Sequence, residues 1–346
     1  MRKGCCLVSN LLLKSAYVEI TSKCNLFCEH CYNNSNINNT AQLSLEILEK
    51  IYQDFSKNKI PSIALSGGEP FMHTNIKDVL SLSERYSLDT QIVTNGVIID
   101  KYVEVIQTNP YLNFQVSLDG VGEVHNTIRG ARIFDVLDRN IDVLNECGKY
   151  IVAKATINKL NINEYKKIIE YCISKRIPKL SFSILNIQGR AVGNEKISLT
   201  NEELRNAIEE IGRFSAEYRN SIEVTPPRIT NSLCPFIGND EADVSPRVDT
   251  TGNVYLCSMF VNPLFSIGNV KNENITDIIK SDRASVVMGF LNSFNKLIQC
   301  KSCYINAICN RGCPAQYLNG MPDYETDTCA LKKDIMLQSV IKEYDL

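Results

Sequence analysis

Three cysteines lie close together near the start of the chain. The stretch "TSKCNLFCEHCYNNS" (residues 21–35) places Cys24, Cys28 and Cys31 in the spacing Cys-x3-Cys-x2-Cys. Three thiolates in one loop can bind three irons of a 4Fe–4S cubane. The fourth iron then lacks a protein ligand, and a small molecule with an amine and a carboxylate can chelate it. The alternative is a zinc loop completed by a distant fourth ligand, although zinc sites usually use Cys-x2-Cys pairs.

A second motif, "ALSGGEPFM", closes the second strand candidate. Gly67 and Gly68 have no Cβ atom, so the backbone can approach a ligand closely at this point. Glu69 and Pro70 are expected to fix the turn. Such a sequence can also form a plain strand-to-helix turn. Its place one β/α unit after the cysteine triplet favours a shared binding site.

Together, "CNLFCEHC" and "SGGEP" resemble the signatures of the radical S-adenosylmethionine (SAM) enzymes. The resemblance implies that the methionine end of SAM binds the open iron of the cluster. It also implies that an electron from the reduced cluster cleaves SAM and that the 5′-deoxyadenosyl radical abstracts hydrogen from a substrate. Backbone near Gly67 and Gly68 would contact the amino group of SAM.

The same resemblance assigns further cofactor contacts. Ser117 in "VSLDG" and Arg129 in "HNTIRG" would bind the methionine carboxylate or the ribose, and His30 would lie beside the adenine. Asp119 is open between a ligand role and a turn-forming Asp-Gly. The full set of expected cofactor-binding residues is His30, Gly67, Gly68, Glu69, Asn95, Ser117, Arg129 and Leu185. No catalytic acid, base or hydrogen donor is assigned.

The C-terminal cysteines resemble the SPASM extension carried by some radical SAM enzymes. That extension usually binds two auxiliary 4Fe–4S clusters, which would bring the total to three clusters. The implied ligands are Cys234, Cys257 and Cys313 for the proximal cluster, and Cys300, Cys303, Cys309 and Cys329 for the distal cluster. The proximal cluster is left with an open iron or a ligand such as Asp240, Asp243 or Asp249. A zinc ribbon would use four of these cysteines and leave three idle.

Short β-like runs alternate with amphipathic helical runs between residues 17 and 217. The six strand candidates are "YVEI", "SIALS", "TQIVT", "NFQVSL", "IVAKATI" and "KLSFSIL", starting at residues 17, 62, 90, 113, 151 and 179. Six β-then-α units predict parallel strands with right-handed crossovers. We therefore expect an α/β fold, a (β/α)6 partial TIM barrel whose strands are apolar on both faces. The cysteine triplet follows the first strand, at the C-terminal strand ends where parallel barrels carry their chemistry.

The character of the sequence changes after "EVTPPRIT" (residues 223–230), and its Pro-Pro pair is a plausible domain boundary. We expect a short N-terminal extension at 1–16, a radical SAM partial barrel at 17–225, and a cysteine-rich SPASM domain with a C-terminal helix at 226–346. Within the last part, "PRVDTTGNVYLC" is typical of a hairpin with a glycine turn.

Composition and charge limit the classes of partner and location that the protein can have. The chain has 346 residues, a formal net charge of −2 and fourteen cysteines. The near-neutral charge argues against nucleic acid as a partner, and no apolar run is long enough for a membrane span. The N-terminus does not resemble a signal peptide, so we expect a cytoplasmic protein. In a reducing compartment, clustered cysteines indicate metal or redox chemistry.

SPASM enzymes largely modify ribosomally made peptides, so the resemblance favours a peptide maturase that works anaerobically and forms a thioether or carbon–carbon crosslink. Small-molecule dehydrogenation or epimerisation, as on a sugar or aminoglycoside, is the alternative. A sulfatase-maturase-like protein oxidase is disfavoured because Ser66 and Ser258 replace residues usual in that branch. An electron carrier or zinc module without turnover is a further class. Expected partners are a peptide and reduced flavodoxin or ferredoxin. Because few residues precede the first strand, we expect leader binding to come from a separate leader-recognition protein, from another surface of this protein, or not at all.

Overall fold

The computed structural model describes residues 12–227 and 243–293. The chain divides into two compact units. One comprises residues 17–227 with 248–252, and the other comprises residues 1–16, 228–247 and 253–346. The domain boundaries expected from the sequence remain predictions.

A two-residue strand, β1 (Leu12–Leu13), precedes the larger unit, which is built on one parallel sheet. Its strands are β2 (Tyr17–Thr21), β3 (Ser62–Gly67), β4 (Asp89–Thr94), β5 (Leu112–Ser117), β6 (Ile151–Ile157), β7 (Lys179–Ile184) and β8 (Glu223–Thr225). Each strand pairs in parallel with the next one along the chain. The order of the first six is the one predicted, and β8 is a short strand that the sequence reasoning missed.

Helices follow the strands as crossover connections. They are α1 (Leu45–Lys57), α2 (Ile76–Arg85), α3 (Val103–Thr108), α4 (Glu123–Arg129), α5 (Phe134–Glu146), α6 (Tyr165–Ser174) and α7 (Asn201–Glu217). Helix α1 begins after Ser44, whose side chain accepts a hydrogen bond from the Ile47 N–H. Helix α7 begins with a capping box between Thr200 and Glu203. Such caps satisfy backbone donors that have no partner inside the helix.

The two faces of the sheet differ, contrary to the expectation of strands that are apolar on both faces. In β5, Leu112, Phe114 and Val116 are buried, whereas the alternate residues are polar and partly exposed. The second half of β6 repeats this pattern, with Ala153, Ala155 and Ile157 buried and the polar Lys154 and Thr156 between them partly exposed. Because successive side chains point to opposite faces, one face forms the helix-packed core. The other face is polar, and its residues line a cavity.

The described part of the smaller unit has little regular structure. Its strands β1 and β9 (Asp243–Val244) pair in parallel. After β10 (Arg247–Val248), the expected glycine turn is present within residues 248–252, which belong to the larger unit. Gly252 has φ +92° there and donates its N–H to the Asp249 carbonyl. Strand β11 (Asn253–Tyr255) pairs antiparallel with β12 (Gly268–Asn269). Helices α8 (Ile275–Ile278) and α9 (Asp282–Ser293) follow.

No helix within the described residues is long and apolar enough to span a membrane.

Candidate active site

The cysteine triplet lies in the loop that follows β2. Cys24 and Cys28 are buried and Cys31 is half-buried. The loop, which we call the cysteine loop (residues 22–36), is fastened by its own backbone. The N–H of Cys24 donates to the Asn36 carbonyl at 3.0 Å, and the N–H of Cys31 donates to the Cys28 carbonyl at 3.3 Å. The three thiols therefore belong to one folded loop at the C-terminal end of the first barrel strand.

The Gly-Gly-Glu turn at the end of β3 is bonded directly to this loop. The N–H of Gly68 donates to the Thr21 carbonyl at 2.7 Å, and the N–H of Glu69 donates to the Lys23 carbonyl at 2.9 Å. Gly67 has φ +127°, and a Cβ atom there would lie 2.1 Å from the Thr21 carbonyl oxygen. The glycines thus permit contact between two backbones, in addition to the close ligand approach expected from the sequence.

Glu69 is buried beneath the turn and acts as an acceptor for its surroundings. Its carboxylate accepts from the Thr94 hydroxyl at 2.7 Å and from the Asn95 N–H at 2.8 Å. Burial raises its pKa to about 7, although the backbone of Asn95 and the Thr94 hydroxyl oppose that shift. Asn95 in turn donates to the Asn25 side chain at 2.9 Å and lies 4.0 Å from the Cys24 sulfur. Glu69 therefore links the ends of β3 and β4 to the cysteine loop.

Asp119 is the hub of a buried polar cluster at the end of β5. Its carboxylate pairs with the Arg129 guanidinium at 2.6 Å and accepts from the Thr156 N–H at 2.8 Å. The Nε2 atom of His30 lies 3.6 Å away. Burial would raise the pKa of Asp119, but the Arg129 cation and the hydrogen bond from the Thr156 N–H outweigh it and hold that pKa below its usual value. The sequence left the role of Asp119 open between a ligand and a turn-forming residue. These buried contacts show that it does more than form a turn.

Arg129 connects this cluster to the thiols. Its Nη1 atom lies 3.8 Å from the Cys28 sulfur, while its Nε atom has no hydrogen-bond partner among the described residues. Burial disfavours the Arg129 cation, but the Asp119 carboxylate and the Cys28 sulfur outweigh that effect and raise its pKa. His30 is neutral, since burial lowers its pKa to about 4. A permanent cation therefore lies beside the thiols, where cluster thiolates would place negative charge.

A segment after β7 holds the cysteine loop from the other side, and the sequence reasoning missed it. Arg190 donates from Nε to the Cys28 carbonyl at 2.7 Å and from Nη1 to the Ser35 carbonyl at 3.0 Å, and it covers the Phe27 ring. Gly189 has φ +58°, and a Cβ atom there would lie 2.3 Å from the Cys31 carbonyl oxygen. The string "IQGRAV" carries no motif that could have revealed this role.

One cavity of about 180 Å³ brings most of the expected residues together. Its lining includes the three cysteines of the loop and six expected cofactor residues, namely His30, Gly67, Gly68, Asn95, Ser117 and Arg129. The polar face of the sheet supplies Tyr17, Ser66, Lys154 and Thr156. Glu69 and Leu185 do not line it. Leu185 packs with Ala191 and Ile197 in an apolar cluster, so its cofactor role stays a prediction.

The donor set fits an iron–sulfur cluster with an organic ligand better than a single metal ion. Within residues 12–227 and 243–293, no three His, Cys, Asp or Glu side chains are placed to hold one ion. In a cubane each thiolate binds a different iron, so no common point is needed. Burial raises the pKa of Cys24 to about 12 and also raises that of Cys28. Iron must therefore displace the thiol protons, as metal ligation generally does.

The unsatisfied atoms near the cavity fit an organic ligand. His30 Nδ1 and Arg129 Nε are buried and have no hydrogen-bond partner in the described part of the chain. Buried polar atoms are seldom left without a partner. A bound nucleoside derivative with amine, carboxylate and hydroxyl groups could satisfy them.

The auxiliary-cluster ligands fall mostly outside the described residues. Of the seven cysteines expected to bind those clusters, Cys257 alone lies in the described part, where it is half-buried. Cys234, Cys300, Cys303, Cys309, Cys313 and Cys329 lie outside it. Among the aspartates considered as a fourth proximal ligand, Asp249 accepts from the N–H and hydroxyl of Thr251. The auxiliary ligand set therefore stays a prediction.

The fold and the arrangement of this site define a class of protein, and comparison with protein families agrees. The radical SAM superfamily model matches residues 18–189, and the SPASM model, an iron–sulfur cluster-binding domain, matches residues 236–304. Together these matches span more than two thirds of the chain. The chain belongs to the radical SAM superfamily and carries a SPASM domain. This confirms the family and the fold class predicted from the sequence.

Individual proteins are also similar to this chain, two of them in sequence and one in fold. Fe-coproporphyrin III synthase of Methanosarcina barkeri is 32% identical over 195 residues, which are 55% of this chain and about half (48%) of that protein. The subtilosin biosynthesis protein AlbA of Bacillus subtilis is 23% identical over 334 residues, or 94% of this chain and 73% of that protein. The structure of Streptococcus suis SuiB bound to its precursor peptide SuiA shares the fold, with a TM-score of 0.71 and 19% identity. The match covers 89% of this chain and 73% of SuiB.

Proposed function

We propose that this protein cleaves SAM reductively and abstracts hydrogen from a ribosomally made peptide, leaving an oxidative modification such as a thioether or carbon–carbon crosslink. The observation that carries the proposal is that residues of the cysteine loop, the Gly-Gly-Glu turn and the polar face of the sheet line the same cavity. Further support comes from AlbA, a bacteriocin biosynthesis protein that this chain matches over most of its length.

In this proposal Cys24, Cys28 and Cys31 hold a 4Fe–4S cluster. When bound and reduced, cluster and SAM together supply the 5′-deoxyadenosyl radical. The protein's own residues position the reactants. The turn at Gly67 and Gly68 offers backbone groups beside the loop, and the hydrophobic core behind the sheet helps to exclude water. The unpartnered Nε atom of Arg129 is placed to donate a hydrogen bond to the methionine carboxylate.

The finer parts of the proposal concern the electron path and the partners. Two auxiliary clusters at the SPASM cysteines would accept or relay electrons, giving three clusters in all. Reduced flavodoxin or ferredoxin would supply electrons, and a separate protein would present the leader of the peptide. A cytoplasmic location remains a prediction.

The cluster assignment is tested by anaerobic reconstitution and by one variant. The wild-type protein should bind about twelve irons, because three cubanes carry four each. The triple variant Cys24→Ala, Cys28→Ala, Cys31→Ala should lose about four irons and all 5′-deoxyadenosine production. Cys147→Ala, which removes a half-buried thiol at the end of α5, is the matched control and should retain both. Continued SAM cleavage by the triple variant would contradict the site.

The substrate class is tested by incubating the reduced holoenzyme and SAM with synthetic peptides encoded beside the gene. Mass spectrometry should show the loss of two hydrogens from one peptide. The relation to Fe-coproporphyrin III synthase over 195 residues favours a second candidate, an enzyme that acts on a small molecule, such as a dehydrogenase or epimerase. That candidate would be supported if SAM cleavage were stimulated by a non-peptide compound and by none of the peptides.

A further inference from the structure

Lys154 is a cation on the polar face of the sheet. It lies in the middle of β6, where its Cα is in register with Ser117 on β5 and with Ser181 on β7. Its ammonium donates to the Ser181 hydroxyl at 3.1 Å. The side chain lines the same cavity as Cys24 and Gly68. Lys154 therefore faces the space that the proposed reactants would occupy.

Lys154 differs from nearby lysines because no carboxylate pairs with it in the described residues. Lys179 on β7 pairs with Glu223 at 2.7 Å, and Lys175 pairs with Asp138 at 2.8 Å. The contact made by Lys154 is with a neutral hydroxyl, and burial alone lowers its pKa. An ammonium removed from water without a counter-charge is costly. A lysine kept only for packing would extend its ammonium to bulk water.

The surroundings of Lys154 suit a carboxylate ligand. Ser117 and Thr156 line the cavity with it, and Thr156 shares a hydrogen bond of 3.5 Å with Ser183 on β7. An ammonium flanked by hydroxyl groups can donate several hydrogen bonds to one carboxylate, and such charge-assisted bonds are stronger than neutral ones. The same bonds would supply the counter-charge that no residue in the described part of the chain provides.

We propose that Lys154 binds a carboxylate of the peptide substrate, so that the enzyme selects an acidic side chain or a C-terminal carboxylate close to the residue that loses hydrogen. This inference rests on the proposed peptide-modifying function. It does not assign Lys154 to the carboxylate of SAM, which has to lie beside the cysteine loop in order to reach the open iron. Arg129 is the cation beside the cysteine loop, with its Nη1 atom 3.8 Å from the Cys28 sulfur. Lys154 instead donates its hydrogen bond to Ser181 on the neighbouring strand β7.

The test uses two peptide mimics that differ in a single charge. Binding of N-acetyl-glutamate N-methylamide and of N-acetyl-glutamine N-methylamide to the holoenzyme with SAM is measured by anaerobic calorimetry. The wild type should bind the acidic probe about tenfold more tightly, since a hydrogen bond to a charged group is worth that much. Lys154→Gln should lose this preference, and Lys154→Arg should keep part of it. Lys179→Gln, which removes a lysine already paired with Glu223, is the control and should keep it in full.

Several results would overturn the proposal. Equal affinities for the two probes in the wild type, including no measurable binding of either, would do so. So would a preference that survives in Lys154→Gln. If Lys154→Gln instead weakens SAM binding tenfold and leaves the probe preference intact, Lys154 belongs to the cofactor site. A clear probe preference combined with no modified peptide in the mass-spectrometric test would keep the carboxylate site and remove the peptide-maturase function.

Discussion

Substituting Gly67 by alanine isolates the contact that joins the Gly-Gly-Glu turn to the cysteine loop. Two costs add at this position. An L-residue at φ +127° is strained, at about 1–2 kcal/mol. The new Cβ would also lie 2.1 Å from the Thr21 carbonyl oxygen. That oxygen cannot move away without breaking the hydrogen bond that it accepts from the Gly68 N–H. Overpacking of this kind costs about 1–3 kcal/mol, so we expect a total near 3 kcal/mol.

Gly148→Ala is the matched control for this substitution. Gly148 also has a positive φ, +67°, but a Cβ atom there would meet no atom within 4 Å. The control therefore carries the backbone strain without the collision, and it should cost about 1 kcal/mol. Comparing the two variants separates the close approach from the general preference for glycine at such angles.

The assay is thermal unfolding of the reconstituted protein, with all variants scanned at the same rate. For a unit of about 200 residues, each kcal/mol lowers Tm by roughly 2–4 °C. Gly67→Ala should therefore fall about 4–8 °C below Gly148→Ala. It should also lose iron from the first cluster, because the displaced carbonyl belongs to the strand that leads into the cysteine loop. Equal Tm values for the two variants, or full iron content in Gly67→Ala, would refute the reasoning.

Two further predictions concern the charged groups around the loop. Asp119→Asn should lower the free energy of unfolding by about 3–5 kcal/mol, because it leaves the buried Arg129 cation without its carboxylate. Glu49→Gln breaks the exposed pair with Arg85 and should cost at most about 1 kcal/mol, and equal losses in urea unfolding would contradict the burial argument. Arg190→Met removes two hydrogen bonds to the backbone of the cysteine loop. Iron should then be lost to a chelator about tenfold faster, a factor worth the ~1.4 kcal/mol of one or two such bonds, and an unchanged rate would remove Arg190 from the site.

The sequence predicted what depends on local pattern. The strand runs, the alternating helical runs and the cysteine spacing are all encoded within a few residues of one another. The alternation along β5 is also present in its sequence, and it contradicts the expectation of strands that are apolar on both faces. The polar residues between the buried ones are the signal that one face lines a cavity.

The contacts that the sequence could not reveal join residues far apart in the chain. Arg190 bonds the Cys28 carbonyl across 162 residues, and such a bond depends on the closure of the whole sheet. The pairing of Asp119 with Arg129 lies nearer in sequence, yet an Asp-Gly dipeptide is equally typical of a turn. Only the burial of both side chains decides between these interpretations.

The cysteine loop is held at several points by groups from different strands. The turn after β3 bonds its first residues, Ile128 on α4 accepts the Glu29 N–H at 3.0 Å, and Arg190 after β7 bonds its middle. Most of these bonds go to backbone atoms, so the loop's path is fixed whatever its non-cysteine side chains are. A site fixed from several rigid elements holds reacting groups within narrow tolerances. Loosening any one of these attachments should therefore impair chemistry at the thiols, even where the substituted residue touches neither cluster nor SAM.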